Sequence, residues 1–129
     1  MQTDRSKLQI LVVDDNQPAR QLIKSTLALA GYTGISEAVD GSKALEALQR
    51  RRYDLIICDW DMPGTSGIDV LRAVRADEAL GATPFLMVTA NQQREFVEAA
   101  IEAGVNDYVA KPYRLNTLNE KVARLLGGQ

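Results

Sequence analysis

The sequence has 129 residues, 46% apolar and 25% charged, with a formal net charge of −2. That size and balance fit one domain, 1–129, with one core over about residues 8–126, and the weak negative charge excludes the basic field that would draw nucleic acid or anionic lipid. A single cysteine, Cys58, excludes a disulfide framework and a thiolate zinc site, and the lack of histidine excludes an imidazole base or a His-bound metal within this sequence.

The first apolar run is Leu8–Val13, nearly continuous, as in strands covered on both faces. Ala19, Leu22, Ile23, Thr26, Leu27 and Ala30 then share one helical face, with Pro18 suited to the first turn and Gly31 to the stop. Gly34–Ala38 is a weaker run and reads as an edge strand. Ala44, Leu45 and Leu48 mark a second helix, which ends near Arg50-Arg51-Arg52, where basic charge complements a helix C-terminus.

Asp54–Cys58 is the third strand, and Ile68, Leu71, Val74 and Arg75 mark the third helix. Phe85–Thr89 is the fourth strand, followed by a helix on Phe96, Ala99, Ala100 and Ala103 that Gly104 ends. Asp107–Ala110 is the fifth strand, and Leu115, Leu118, Val122 and Leu125 mark the fifth helix. Strands separated by helical crossovers pair in parallel with right-handed connections, so a doubly wound α/β fold with helices on both faces is expected.

No apolar run approaches the ~20 residues of a membrane span. The opening MQTDRSKLQ lacks the apolar stretch of a signal peptide, so a soluble cytoplasmic protein is expected.

In doubly wound sheets ligands bind beyond the carboxyl ends of the strands. Strand one ends in Asp14-Asp15, strand three in Asp59 and strand four in Thr89-Ala90, and Lys111-Pro112 follows strand five. Taken singly, each has a bland explanation: a helix cap, a turn or a surface charge. Together they describe three carboxylates, a hydroxyl and an ammonium on one rim. Clustered carboxylates repel unless a cation intervenes. With only hard oxygen donors present, Mg²⁺ suits them. Lys111 suits a phosphate as a point charge, Thr89 can donate to a phosphoryl oxygen, and Asp59 can act as a nucleophile forming an acyl phosphate.

These residues resemble the receiver domains of two-component response regulators, over about Leu8 to Leu126. The runs Asp59-Trp60-Asp61-Met62-Pro63, Val88-Thr89-Ala90 and Lys111-Pro112 are most similar to those of the stand-alone, CheY-like chemotaxis members. The resemblance implies a five-stranded sheet in the order 2-1-3-4-5 with five helices. It implies Asp59 as phosphoacceptor, and Mg²⁺ held by Asp14, Asp15, Asp59 and the backbone carbonyl of Asp61. Thr89 would be the switch hydroxyl, Lys111 the phosphoryl contact and Tyr108 the aromatic that turns on activation. The Lys111-Pro112 bond would be cis, a geometry accessible before proline.

By the same resemblance the phosphoryl donor is a sensor histidine kinase or phosphotransfer protein. Output is by contact of the helix 4–strand 5–helix 5 face with a protein target, the flagellar switch if the pathway is chemotaxis. The chain would be a switch and not an enzyme, apart from promoting its own phosphorylation and dephosphorylation.

Asp61 departs from the neutral amide common at that position, and Asn91 occupies another position that varies in the family. Two alternatives compete: a receiver in a non-chemotaxis relay, and a haloacid-dehalogenase-like phosphatase, whose Asp-x-Asp core Asp59-Trp60-Asp61 satisfies. In such phosphatases, however, the nucleophile usually follows the first strand. Trp60 is expected as a lid or surface aromatic at the pocket mouth, and Cys58 as an inert core residue.

Overall fold

The computed structural model describes residues 4–127. Five strands, β1 (Gln9–Val13), β2 (Gly34–Ala38), β3 (Leu55–Asp59), β4 (Phe85–Thr89) and β5 (Asp107–Ala110), alternate with five helices. The helices are α1 (Gln17–Leu29), α2 (Gly41–Arg50), α3 (Gly67–Ala76), α4 (Arg94–Glu102) and α5 (Leu115–Leu125). All pairings are parallel and the order is β2-β1-β3-β4-β5. The expected doubly wound sheet and its strand order are therefore both present, with the weak β2 run at an edge.

Alternation along the strands divides the core in two. Leu11, Val13, Ile56, Cys58, Phe85 and Met87 pack with residues of α2, α3 and α4. Ile10, Val12, Ile57, Leu86, Val88 and Val109 pack with Ile23 and Leu27 of α1 and Leu118 and Val122 of α5. Strands β3 and β4 are buried along their whole length, which is why their sequences are continuous apolar runs and not alternating ones.

Local boundaries follow capping chemistry. Asn16, not Asp14 or Asp15, caps α1, accepting from the Ala19 amide at 2.8 Å, which frees the acidic pair for other work. The third strand runs Leu55–Asp59, one residue later than the expected Asp54–Cys58; Asp54 precedes it, its amide donating to the Gln9 carbonyl at 2.7 Å and its carboxylate accepting the Gln9 amide at 2.8 Å. One element has no counterpart in the periodic pattern of the sequence: a 3-10 turn at Arg5–Lys7, capped by Asp4. It sets Arg5 over the Tyr32 ring at 4.9 Å and its Nη1 2.8 Å from the Ala30 carbonyl at the end of α1.

Gly67 fixes the approach of α3 to the end of β3. A Cβ at Gly67 would collide with the Asp59 carbonyl and lie 2.8 Å from Trp60 Cα. Its amide donates to the Trp60 carbonyl at 2.9 Å. No helix among the described residues is long and apolar enough to cross a membrane.

Candidate active site

The register brings the chemistry together. Val13 pairs with Cys58, so Asp14 and Asp59 stand next to one another beyond that pair. Thr89 pairs with Ala110, which puts Lys111 one residue past the end of β5. The Lys111 amide donates to the Thr89 carbonyl at 2.8 Å, and the Lys111–Pro112 bond is cis.

Asp14, Asp15 and Asp59 each offer a carboxylate oxygen within 4.8 Å of the others. Asp14 and Asp59 are almost out of solvent, at 1% and 5% exposure, whereas Asp15 is exposed. Lys111 Nζ lies 3.2 Å from Asp59 Oδ1 and 3.6 Å from Asp14 Oδ2. Both oxygens are buried without an aligned hydrogen bond, so the lysine meets them as an ion pair and leaves acceptor capacity unused. Orphaned buried carboxylate oxygens cost free energy unless a cation takes them. The donors are all hard oxygen. The residues present fit Mg²⁺.

The electrostatics record the crowding. Burial, and then the Asp14 charge, push the Asp59 carboxyl up from 3.8 to about 6, against the opposing pull of Lys111. Burial works against the Lys111 charge, but Asp59 and Asp14 outweigh it and raise its pKa. Burial, helped by Asp59 and Asp14, drives the Cys58 thiol well above its ordinary value, so this cysteine is an inert core residue.

Thr89 is buried and its hydroxyl is tied to the next loop: Oγ1 accepts the Asn91 amide at 2.9 Å and lies 3.3 Å from the Asn91 carbonyl. Beneath it lies a small apolar cavity lined by Trp60, Met87, Thr89, Phe96, Ala100 and Tyr108. Tyr108 is half-buried at its edge. Asp61 is exposed beside Asn91, Gln92 and Gln93 in an open cleft.

Trp60 is not the surface aromatic expected. It is 9% exposed and packs edge-to-face on Phe96, with ring centroids 5.4 Å apart. Two further residues shape the site without standing out in the sequence, Gly67 and Arg20. The signal for Gly67 is a glycine opening a helix just after the Asp59 loop. Arg20 interrupts the apolar face of α1, and it is buried with Nη1 2.7 Å from the Asp14 carbonyl.

Comparison with known proteins identifies the family. The family described as "Response regulator receiver domain" matches residues 10–123. The chain is 47% identical over 118 residues to the chemotaxis protein CheY of Pseudomonas aeruginosa, covering 92% of this chain and 95% of that one. The Vibrio cholerae chemotaxis protein CheY4 superposes with a TM-score of 0.85 at 34% identity, covering 92% of this chain and 98% of that one. The receiver domain of a Pseudomonas aeruginosa sensor histidine kinase, solved with a magnesium ion coordinated in its active-site cleft, gives a TM-score of 0.85 at 33% identity. That match covers 94% of this chain and 98% of the other. In sequence and in fold, this chain belongs to the response regulator receiver domains and is CheY-like among them.

Proposed function

We propose that this chain is a phosphorylation-activated switch of a two-component system, in which Asp59 accepts a phosphoryl group from the phosphohistidine of a sensor kinase or phosphotransfer protein. The observation that carries this reading is the placing of two buried, under-partnered carboxylates, Asp14 and Asp59, within reach of Lys111 and of Asp15. Asp14, Asp15, Asp59 and the backbone carbonyl of Asp61 would hold Mg²⁺, which when bound supplies positive charge to the phosphoryl oxygens.

Asp59 attacks phosphorus in line. The P–N bond to the donor histidine breaks as the aspartyl P–O bond forms. Lys111 neutralises part of the charge on the equatorial oxygens, and positioning supplies most of the acceleration. Thr89 exchanges its bonds with Asn91 for one to a phosphoryl oxygen. Its movement opens the cavity beneath it, and Tyr108 turns in. The surface of α4, β5 and α5 changes with it and meets a downstream protein. The change is a population shift; driving it from 1:99 to 99:1 takes about 5.5 kcal/mol of differential binding.

The chain catalyses nothing beyond its own phosphorylation and dephosphorylation. It acts in the cytoplasm. Relatives named as chemotaxis proteins favour chemotaxis over another relay, and the flagellar switch is then the target.

The test is transfer of labelled phosphate from a phosphorylated kinase. Asp59→Asn should take up no label, and full labelling of that variant would reject Asp59 as acceptor. Thr89→Ala should be labelled normally yet fail to bind the partner of the active form; normal partner binding would remove Thr89 from the relay.

A further inference from the structure

Asp14 is held at every polar group but one. Its amide donates to the Ala38 carbonyl at 3.2 Å, and its own carbonyl accepts from Arg20 Nη1 at 2.7 Å. Its Oδ1 accepts the Asn16 amide at 2.9 Å. Only Oδ2, buried and facing Lys111, is left without a hydrogen bond.

Arg20 is an odd residue to find there. It stands in the first turn of α1, where a positive charge opposes the helix dipole, and it is 9% exposed, where a guanidinium is costly to bury. Helix stability does not account for it. Its charge is answered by Glu37 of β2, whose Oε1 lies 3.0 Å from Arg20 Nε while Oε2 lies 2.8 Å from Lys24 Nζ. A planar guanidinium can serve both neighbours at once, because one edge grips a carboxylate while another donor reaches a backbone oxygen.

We propose that Arg20, neutralised by Glu37, is a positioning residue for the cation site: it locks the backbone of Asp14 so that Oδ2 stays aimed at the ion instead of rotating to water. The inference rests on the Mg²⁺ reading above. Without Arg20 the segment after β1 keeps the Ala38 link and the Asn16 amide on Oδ1 but loses the hold on the Asp14 carbonyl. Part of the ordering of Asp14 then falls to ion binding. Without Glu37, the buried guanidinium charge stands uncompensated beside a cation site.

Arg75 supplies the control. It is a guanidinium of the same kind at the opposite end of the sheet, gathering the Gly81, Thr83 and Gly104 carbonyls and Asn106 Oδ1 at 2.7–3.1 Å. None of these hydrogen bonds reaches Asp14.

The experiment is a Mg²⁺ titration read by fluorescence of Trp60, the single tryptophan, paired with thermal melting in chelator. Arg20→Gln should bind Mg²⁺ about tenfold more weakly than wild type or worse, the range seen when groups supporting metal ligands are removed. Arg20→Lys, which keeps charge and one donor direction, should recover part of the loss. Arg75→Gln should lower the melting temperature and leave Mg²⁺ affinity unchanged. Wild-type Mg²⁺ affinity in folded Arg20→Gln, or an equal loss in Arg75→Gln, overturns the proposal. If Arg20→Gln does not fold, Glu37→Gln carries the same expectation, and unchanged affinity there overturns it equally. Failure of the wild type itself to bind Mg²⁺ would instead reject the cation site, and Arg20's role with it.

Discussion

At Asp59 a carboxylate sits almost out of water beside a second carboxylate, with one lysine to offset both. Its proton is held more tightly folded than unfolded, with a pKa of about 6 against 3.8. The folded state therefore binds more protons between those values, and stability falls as pH rises from about 4 through 6, then levels off. The loss by pH 7 is about 2–3 kcal/mol in chelator. Asp59→Asn should accordingly raise the urea midpoint at pH 7.5 and flatten the pH dependence; a variant no more stable than wild type at that pH would contradict the electrostatic account.

Cys58 makes a second expectation at this scale. Fully buried and with its thiol pushed up, it should resist alkylation until the chain unfolds. Labelling at native rates typical of a free thiol would show that β3 opens far more than its packing implies.

Asp14, Asp59, Thr89 and Lys111 were legible in the sequence because each ends or follows an apolar run, and parallel topology brings such ends together. The burial of Trp60 was not legible. It depends on where Phe96 of α4 comes to rest, and no local pattern encodes that.

Among the elements, β3 and β4 are the most rigidly specified, and α4 is the least so of the five helices. Each β3 and β4 residue is buried, while in α4 only Ala100 is, Ile101 is 64% exposed and no side chain caps the N-terminus. Amides of α4 should therefore exchange with deuterium well before those of β3, as expected for a segment with few buried apolar contacts. Protection of α4 equal to β3 would argue against a lever that moves when Thr89 moves.

At the start of α3, Gly67→Ala should cost on the order of 1–3 kcal/mol in urea unfolding. The new methyl meets backbone of Asp59 and Trp60, and neither can rotate away. The helices were readable from their 3.6-residue periodicity, and their ends from Pro18, Gly31 and Gly104. The 3-10 turn at Arg5–Lys7 was invisible, because three polar residues held by one Asp4 cap carry no periodic signal.

For the whole molecule, parallel pairing and two-sided helical cover followed from element order alone. The strand order 2-1-3-4-5 did not; it came from family resemblance, because alternating β and α elements fit more than one winding. That winding puts α1 and α5 on one face and α2, α3 and α4 on the other, and leaves one rim where all the polar strand ends meet. A cation bound at that rim stabilises the entire fold by mass action, by about 2.7 kcal/mol at a hundredfold excess over its dissociation constant. The melting temperature should climb steadily with Mg²⁺, and Asp14→Asn should remove most of the climb.

The measurement that bears most directly on the central claim is the mapping of phosphate on the wild-type chain after incubation with acetyl phosphate. Peptide mass spectrometry should find a single phosphoryl group, on the segment containing Asp59, in the presence of Mg²⁺ and none when the metal is chelated. Phosphate on another segment, or equal yield at Asp59 with the metal chelated, would contradict the claim that the rim's carboxylates gather a divalent ion beside the residue that takes the phosphoryl group.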